Sequence, residues 1–281
     1  MGELPTSSHG FAIEQVVLTV NDLEKVTTFY QAVIGLERLG QDGEIVRLGA
    51  DVTPLIELRQ DRHARQRSSR EAGLFHTAFL LPSRSALACW IDHATERKLP
   101  LVGASDHDVS EAVYLSDPEG NGVEIYADRP PSSWYWRDGT IRMGTKPLDI
   151  PALLEQSRGA RWDGAPTGTQ IGHVHLQVGT IEVAEEFYAR KLGLDVTCRY
   201  PGGTFYAADG YHHHIATNIW NSRGAGQRRF PSTGLAEIAL SVSRPLPEGL
   251  VPAADGNSSG TTVTLEDPWG TPIRLHSQRF L

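Results

Sequence analysis

An internal repeat is the feature of this sequence that most constrains its fold. Residues 13–20, IEQVVLTV, read as an apolar strand, and apolar residues at helical spacing follow it. Asn21 or Asp22 can cap that helix, and Gly35 can end it. Residues 171–194 repeat the whole pattern. Two landmarks stand at the same offset of 158 residues (176 − 18), namely Leu18 with Leu176 and Phe29-Tyr30 with Phe187-Tyr188.

A second kind of unit also occurs twice. Residues 73–82, GLFHTAFLLP, match residues 234–243, GLAEIALSVS. Each copy is followed by an Asp-Pro-x-Gly turn, which begins at Asp117 in one and at Asp267 in the other. Proline presets φ and glycine tolerates positive φ, so both turns are predicted to reverse the chain between two strands.

The chain therefore contains four related units, at about 11–60, 73–127, 171–220 and 234–276. The first three hold a strand, a helix and several further strands. In the fourth, the helix position is taken by residues 244–260, whose prolines and glycines forbid a regular helix. A repeated unit too small to bury its own face must pair with another unit. We predict an α+β fold in which four βαβββ units pair into two curved-sheet cups.

This arrangement predicts an N-terminal domain at 11–127, made of units one and two, and a C-terminal domain at 171–276, made of units three and four. Residues 128–170 form a connector with one short helix near 150–156. The concave face of a paired cup is a natural place for a small-molecule site.

Charge and cysteine usage exclude several classes of partner. The net charge is −8 and the pI is about 5.8, so we predict no nucleic-acid and no membrane partner. The basic segment 59–70 is predicted to be a solvated loop. Cys89 and Cys198 stand in no CxxC pattern and read as reduced thiols. The N-terminus lacks the features of a signal peptide, and no apolar run reaches the ~18 residues that span a membrane. We therefore predict a cytoplasmic protein.

Three strand side chains could form a metal site. Glu124 follows the first Asp-Pro-x-Gly turn, His76 lies in mid-strand in the same unit, and His173 or His175 lies in the first strand of the next unit. A lone strand carboxylate usually faces solvent, and a lone strand histidine is usually a core residue with a satisfied hydrogen bond. Together, two imidazoles and one carboxylate match the facial triad of non-haem Fe(II) oxygenases, which leaves coordination positions open. Zinc and nickel accept the same donors but typically recruit a further carboxylate or water.

A run of three histidines could supply acid–base chemistry. His212, His213 and His214 lead into an apolar strand, and alternation puts His213 on the face opposite to its neighbours. An imidazole beside a metal cup can take a phenolic proton near neutral pH. Tyr114, on the strand before the turn, could donate a hydrogen bond to an oxygen atom at the metal. His107, at the entry of that strand, is a further candidate donor.

These segments resemble the vicinal-oxygen-chelate superfamily, which includes glyoxalase I, bleomycin-resistance proteins and type I extradiol dioxygenases. The resemblance covers nearly the whole chain and is closest to the shorter bacterial catechol 2,3-dioxygenases. The segments that carry it are GLFHTAFLLP, SDPEGNGVEIYADRP, IGHVHLQV and GYHHHIATNIW.

The resemblance implies a role for six residues. The iron ligands of extradiol dioxygenases are a histidine on the first strand of each of two units and a glutamate on a last strand. The matching residues here are His76, His173 and Glu124. The family's acid–base histidine lies in a His-His-x-aliphatic-Ala run, which matches His213 here. The family's tyrosine matches Tyr114, and its further histidine matches His107, at a slightly different spacing.

The resemblance implies an Fe(II)-dependent extradiol dioxygenase, with Mn(II) as the alternative metal. Its partners would be a catechol-type aromatic diol and dioxygen, and its product a muconic semialdehyde. Exposed sheet edges also favour a homo-oligomer. Alternatives are a hydroquinone-type dioxygenase, a glyoxalase or thiol transferase, and a bleomycin-resistance-type binding protein. A glyoxalase site favours a second carboxylate, which the third unit lacks, and binding proteins of this fold often lack the metal ligands.

One feature departs from the larger extradiol enzymes, in which the C-terminal pair of units supplies all the site residues. Here the second and third units supply them. The corresponding ligand positions of the first and fourth units hold Gln15, Glu237 and Arg274. We therefore expect unit two to pair with unit three and unit one with unit four, giving one working metal site and one degenerate cup.

Overall fold

The computed structural model describes residues 10–157, 159–243, 250 and 260–278, and its elements follow the four units. Unit one holds β1 (Phe11–Val20), α1 (Leu23–Phe29), β2 (Glu37–Asp42), β3 (Ile45–Ala50) and β4 (Thr53–Gln60). Unit two holds β5 (Gly73–Leu80), α2 (Arg84–Glu96), β6 (Gly103–Asp106), β7 (Ser110–Ser116) and β8 (Gly122–Asp128). The connector holds β9 (Trp136–Arg137), β10 (Thr140–Ile141), β11 (Lys146–Pro147) and α3 (Ile150–Leu154).

The second half of the chain repeats the same order. Unit three holds β12 (Gln170–Gln177), α4 (Ile181–Glu185), β13 (Asp195–Tyr200), β14 (Gly203–Ala207) and β15 (Ile215–Asn218). Unit four holds β16 (Gly234–Val242), β17 (Gly260–Glu266) and β18 (Pro272–Gln278). The predicted absence of a helix at 244–260 falls almost entirely outside the described residues.

The ends of the first helix follow the sequence signals, but its last turn does not. The Asp22 carboxylate accepts a hydrogen bond from the Lys25 N–H at 3.1 Å, and Gly35 ends the helix with φ at 80°. Between them, residues Tyr30–Ile34 form a π-helical turn, which apolar spacing alone does not predict. The helix of unit three widens in the same way over Glu186–Lys191, so this departure is itself part of the repeat.

Strand pairing builds each cup from both halves of the chain, which confirms the predicted fold. β5 pairs antiparallel with β12, and β1 pairs antiparallel with β16. Units two and three thus share one curved sheet, and units one and four share another. A single residue pair, Ile13 with Ile171, joins them into one 16-stranded sheet.

Hydrogen bonds from the helical segments link unit one to unit two and unit three to unit four. The Tyr30 hydroxyl of unit one donates to Asp117 of unit two at 3.5 Å, and the Tyr188 hydroxyl of unit three donates to Asp267 of unit four at 3.0 Å. Each aspartate is the first residue of its Asp-Pro-x-Gly turn. Sheet pairing and helix packing therefore link the four units in a closed cycle.

In the cup of units one and four, the carboxylates form ion pairs with arginines. Arg274 donates from Nε to Glu237 at 2.8 Å, and Glu57 accepts from Arg47 at 2.9 Å on the neighbouring strand. Guanidinium groups therefore already bind the carboxylates of this cup. Within the described residues, no group of side chains that could hold a metal was found in it.

Two further observations concern the chain as a whole. Cys89 and Cys198 are both free thiols. Among the described residues, no helix is long and apolar enough to cross a membrane.

Candidate metal centre

Strand register brings the three predicted ligands around one alanine. Ala78 of β5 lies beside Glu124 of β8 on one side and beside His173 of β12 on the other. His76 stands two residues before Ala78, so strand alternation directs its side chain to the same face. The fully buried methyl group of Ala78 fills little of the space between them. The three functional side chains can therefore converge above it.

The donor atoms are spaced as an octahedral metal requires. Glu124 Oε2 lies 2.9 Å from His76 Nε2 and 3.2 Å from His173 Nε2, and the two imidazole nitrogens lie 3.3 Å apart. Neighbouring ligands at about 2.1 Å from an octahedral metal are about 3 Å from one another (2.1 × √2). The residues present thus fit three adjacent positions on one face of a metal ion.

The charges of the site suit a cation. Burial alone raises the pKa of Glu124, but the imidazoles of His173 and His76 lower it well below its usual range, so the carboxylate is ionised. Burial lowers the pKa of His173, so its ring is neutral at a pH where a free histidine would begin to take up a proton. The buried Nδ1 of His173 has no hydrogen-bond partner among the described residues.

His213 lies directly against the triad. Its ring packs on the ring of His173 with centroids 4.1 Å apart and meets Phe205 edge-on at 5.0 Å. Burial lowers the pKa of His213 well below its ordinary value, and the neighbouring His173 and His212 lower it further. His213 is therefore a neutral imidazole beside the metal ligands, which is the form that can accept a proton.

Tyr114 and His107 also reach this site. Tyr114 is the cross-strand partner of Glu124, so the turn between β7 and β8 places both on one face. His107 donates from Nδ1 to the Gly144 carbonyl at 2.7 Å, and its Nε2 lies 2.6 Å from the Tyr114 hydroxyl. Burial and the adjacent Glu124 carboxylate raise the pKa of Tyr114 well above its ordinary value, so the hydroxyl keeps its proton. Sequence reasoning placed the pair at the site but did not anticipate this bond.

His175 lines the same cavity, opposite His76 on the paired strand. Its Nε2 accepts a hydrogen bond from the Asn218 side-chain amide at 3.0 Å. Of the two candidates, the geometry favours His173 as the ligand, because its Nε2 lies 3.2 Å from Glu124 whereas Nε2 of His175 accepts a hydrogen bond from Asn218.

Behind His213 lies a hydrogen-bonded group of polar residues in which sequence reasoning had named only His212. His212 Nδ1 lies 2.7 Å from His213 Nδ1, and His212 Nε2 lies 2.9 Å from the Asp128 carboxylate. The Tyr211 hydroxyl donates to the other oxygen of Asp128 at 3.0 Å and lies 2.9 Å from the Tyr126 hydroxyl. The histidine run lies just before β15 and not within it, so strand alternation does not describe it, and nothing in the sequence names the partner of His212.

The triad opens into a cavity of about 490 Å³, a volume typical of small-molecule sites. Its walls are largely apolar and include Phe75, Phe205 and Trp220. Arg67 also lines it, donating to the carbonyls of Gly120 and Leu74 at 2.5 Å each. The prediction that residues 59–70 form a solvated loop is wrong for this arginine, because these carbonyls draw its guanidinium inward.

Comparison with known proteins identifies the family of this chain. A model of the Glyoxalase/Bleomycin resistance protein/Dioxygenase superfamily matches residues 12–125 and 170–244. The Catechol-2,3-dioxygenase of Bacillus subtilis (strain 168) is 41% identical over 223 residues, which are 78% of this chain and 78% of that protein.

Solved structures share the fold at lower identity. A protein of Bacillus subtilis subsp. subtilis str. 168, provisionally named a dioxygenase, superposes with a TM-score of 0.59 at 16% identity, over 96% of this chain and 86% of that chain. Glyoxalase I from Zea mays superposes with a TM-score of 0.53 at 14% identity, over 95% of this chain and 92% of that chain. The family model and the 41% identical relative together establish that this chain belongs to the glyoxalase/bleomycin resistance protein/dioxygenase superfamily.

Proposed function

We propose that this protein is an Fe(II)-dependent extradiol dioxygenase that cleaves the ring of catechol or a substituted catechol next to the diol, giving a muconic semialdehyde. The observation that carries the proposal is the donor set of His76, Glu124 and His173 with the neutral imidazole of His213 packed against it. The name of the 41% identical relative, catechol-2,3-dioxygenase, supports the same reaction.

His76, Glu124 and His173 would hold the metal. When bound, Fe(II) would supply the Lewis-acid and redox chemistry that couples a chelated diol to dioxygen, and Mn(II) is the alternative. The strands fix these three side chains before any ion binds, because their spacing is set by the register around Ala78.

The remaining residues act on the substrate. His213 takes a proton from a diol hydroxyl, since its imidazole is neutral and lines the cavity, and it can return that proton to the ring-opened product. Tyr114, backed by His107, places a hydroxyl group beside the diol. The apolar walls hold the ring and limit the access of water.

The register argues against a glyoxalase. Ala216 of β15 lies beside His175, which is the position in this unit where a last-strand carboxylate would join the triad. A methyl group there cannot coordinate, so the described residues offer three candidate ligands at this site and no second carboxylate among them. A binding protein without catalysis would not require the full ligand set or His213.

The test begins without oxygen. The full-length protein is reconstituted with Fe(II) or, in parallel, with Mn(II), mixed with catechol or 3-methylcatechol, and exposed to dioxygen. We expect oxygen uptake together with a yellow ring-fission product that contains both atoms of labelled dioxygen. An absence of oxygen uptake across a panel of catechols and hydroquinones would exclude dioxygenase activity. Uptake with hydroquinones alone would replace the catechol assignment.

A further inference from the structure

A chain of hydrogen bonds runs from His213 away from the cavity to a carboxylate on another unit. His213 Nδ1 lies 2.7 Å from His212 Nδ1, and His212 Nε2 lies 2.9 Å from Asp128 Oδ1. His212 is completely buried, whereas the side chain of Asp128 is 22% exposed. The chain thus begins at the candidate acid–base group and ends at the edge of the protein.

The direction of each hydrogen bond in this series follows from Asp128, the residue at its outer end. The Asp128 carboxylate can only accept, so His212 must donate to it from Nε2. With one ring proton, placed on Nε2, the His212 imidazole has none on Nδ1 and presents a lone pair to His213. His213 must therefore hold its own proton on Nδ1. Its Nε2, which has no hydrogen-bond partner among the described residues, is left unprotonated toward the cavity.

Two further contacts hold Asp128 and His212 in place. The Tyr211 hydroxyl donates to the second oxygen of Asp128 at 3.0 Å, and Trp134 packs edge-on against the His212 ring with centroids 5.1 Å apart. Asp128 also lies on β8 at a spacing of four residues from Glu124, so the two side chains leave the strand on the same face. One strand of unit two thus supplies a metal ligand and the support for a histidine of unit three.

We propose that Asp128 and His212 are positioning residues that hold His213 in the tautomer whose Nε2 is free to accept a proton from the substrate. The proposal rests on the proposed function only in the role given to His213. The bonds from Asp128 through His212 would fix the tautomer of His213 in a purely structural role as well, so the spectra test the tautomer and the kinetics of the variants separate the two roles.

The first test reads the tautomer directly. Full-length protein with ¹⁵N-labelled histidine is studied with diamagnetic Zn(II) added, and the ring signals of His213 are assigned by their loss in His213→Gln. We expect the Nδ1–H form in the wild type and a mixture of forms in Asp128→Ala. Asp195→Ala, at an exposed strand end, is the matched control and should match the wild type. An Nε2–H form in the wild type, or no change in Asp128→Ala, would overturn the proposal.

The second test is a double-mutant cycle on the Fe(II) enzyme with catechol. Asp128→Ala should lower kcat about tenfold to a hundredfold with little change in KM. This loss is a part of the ~10²–10⁴-fold rate enhancement that a positioned acid–base group supplies. In a His213→Ala background the same change should cost less than about twofold, since residues acting as one unit are not additive. Asp128→Asn, whose amide oxygen can still accept from His212, should recover most of kcat. Equal losses in both backgrounds would contradict the proposal.

Iron content and thermal stability of each variant are measured alongside. A variant that keeps its iron and its fold but loses kcat has lost positioning and not structure. If the wild type fails to cleave any catechol, the proposed function fails, whereas the imidazole spectra still decide whether Asp128 and His212 set the tautomer of His213.

Discussion

Ala216 occupies in the third unit the register position that Glu57 occupies in the first. Ala216 lies beside His175 on the parallel strand β12, and Glu57 lies beside Val17 on the parallel strand β1. His175 and Val17 are related by the repeat offset of 158 residues (175 − 17). The two cups therefore differ by a methyl group in place of a carboxylate at a point adjoining the metal centre.

Restoring a carboxylate at this point should block catalysis without loss of metal. We expect Ala216→Glu to keep bound metal, since a carboxylate is added as a fourth protein ligand, and to lose ring cleavage, since a position needed by the substrate or dioxygen is filled. Metal content and oxygen uptake with catechol are the measurements. Ala216→Gln has nearly the same volume and no charge. Equal metal content and equal activity in the Glu and Gln variants would show that the carboxylate does not reach the metal.

Removal of Glu124 should release the metal. Glu124→Ala leaves two imidazoles and removes the carboxylate from the triad, so we expect at least about a tenfold drop in Fe(II) affinity, measured by metal analysis after dialysis. The control is Glu237→Ala, which removes a carboxylate from the cup of units one and four. That variant should retain the wild-type metal content, and full metal retention by Glu124→Ala would refute the ligand assignment.

Gly172 should tolerate no side chain. A Cβ atom at Gly172 would lie 1.7 Å from the Tyr126 hydroxyl, so Gly172→Ala must push Tyr126 off His173. We expect a loss of about 1–3 kcal/mol in the free energy of unfolding, the usual size for overpacking, measured by denaturant titration.

Gly103→Ala is the matched control for this substitution. Gly103 also lies in a strand, but a Cβ there meets nothing within 4 Å. It should unfold within about 0.5 kcal/mol of the wild type. Tyr126→Phe removes the clashing hydroxyl and should partly rescue Gly172→Ala. A Gly172→Ala protein as stable as the Gly103→Ala control would contradict the packing argument.

Loss of the Tyr114 hydroxyl should slow turnover but spare metal binding. We expect Tyr114→Phe to lower kcat about tenfold to a hundredfold, the effect of one hydrogen bond of about 1.5–3 kcal/mol to a charged group. Steady-state kinetics with catechol and metal analysis test this together. Tyr135→Phe, on an exposed ring of the connector, should behave as the wild type. Unchanged kcat in Tyr114→Phe would remove the hydroxyl from the mechanism.

The fold could be predicted from the sequence because the internal repeat defines the four units and their order of elements. The alignment of Leu18 with Leu176 defines repeated units that are each too small to fold alone. A single metal site with histidines from the first strands of units two and three requires those two units to pair. Strand alternation and the turn at Asp117 direct His76 and Glu124 to one face, but alternation puts His173 and His175 on the same face and does not choose between them. The choice of His173 came from the resemblance to extradiol dioxygenases, and the roles of these residues stay predictions.

The parts that could not be predicted depend on contacts between distant residues with no local signature. Asp128 binds His212 across 84 residues of sequence, and an aspartate at a strand end usually signals only a solvated terminus. Arg67 lies in a basic loop whose composition predicts full exposure, yet two backbone carbonyls draw it inward. Ala78 is indistinguishable in sequence from any other buried strand residue.

The strand pairing has a consequence for how the protein is made. His76 and His173 are 97 residues apart in the chain, and Phe205 on β14 and the histidine run follow later still. When units one and two have left the ribosome, β5 and β8 already carry His76 and Glu124. The strand β12, which carries His173, has not yet been made. The metal can therefore be captured with full affinity only after unit three has emerged. Neither half, expressed alone, should retain iron, while co-expressed halves that associate through β5 and β12 should recover it.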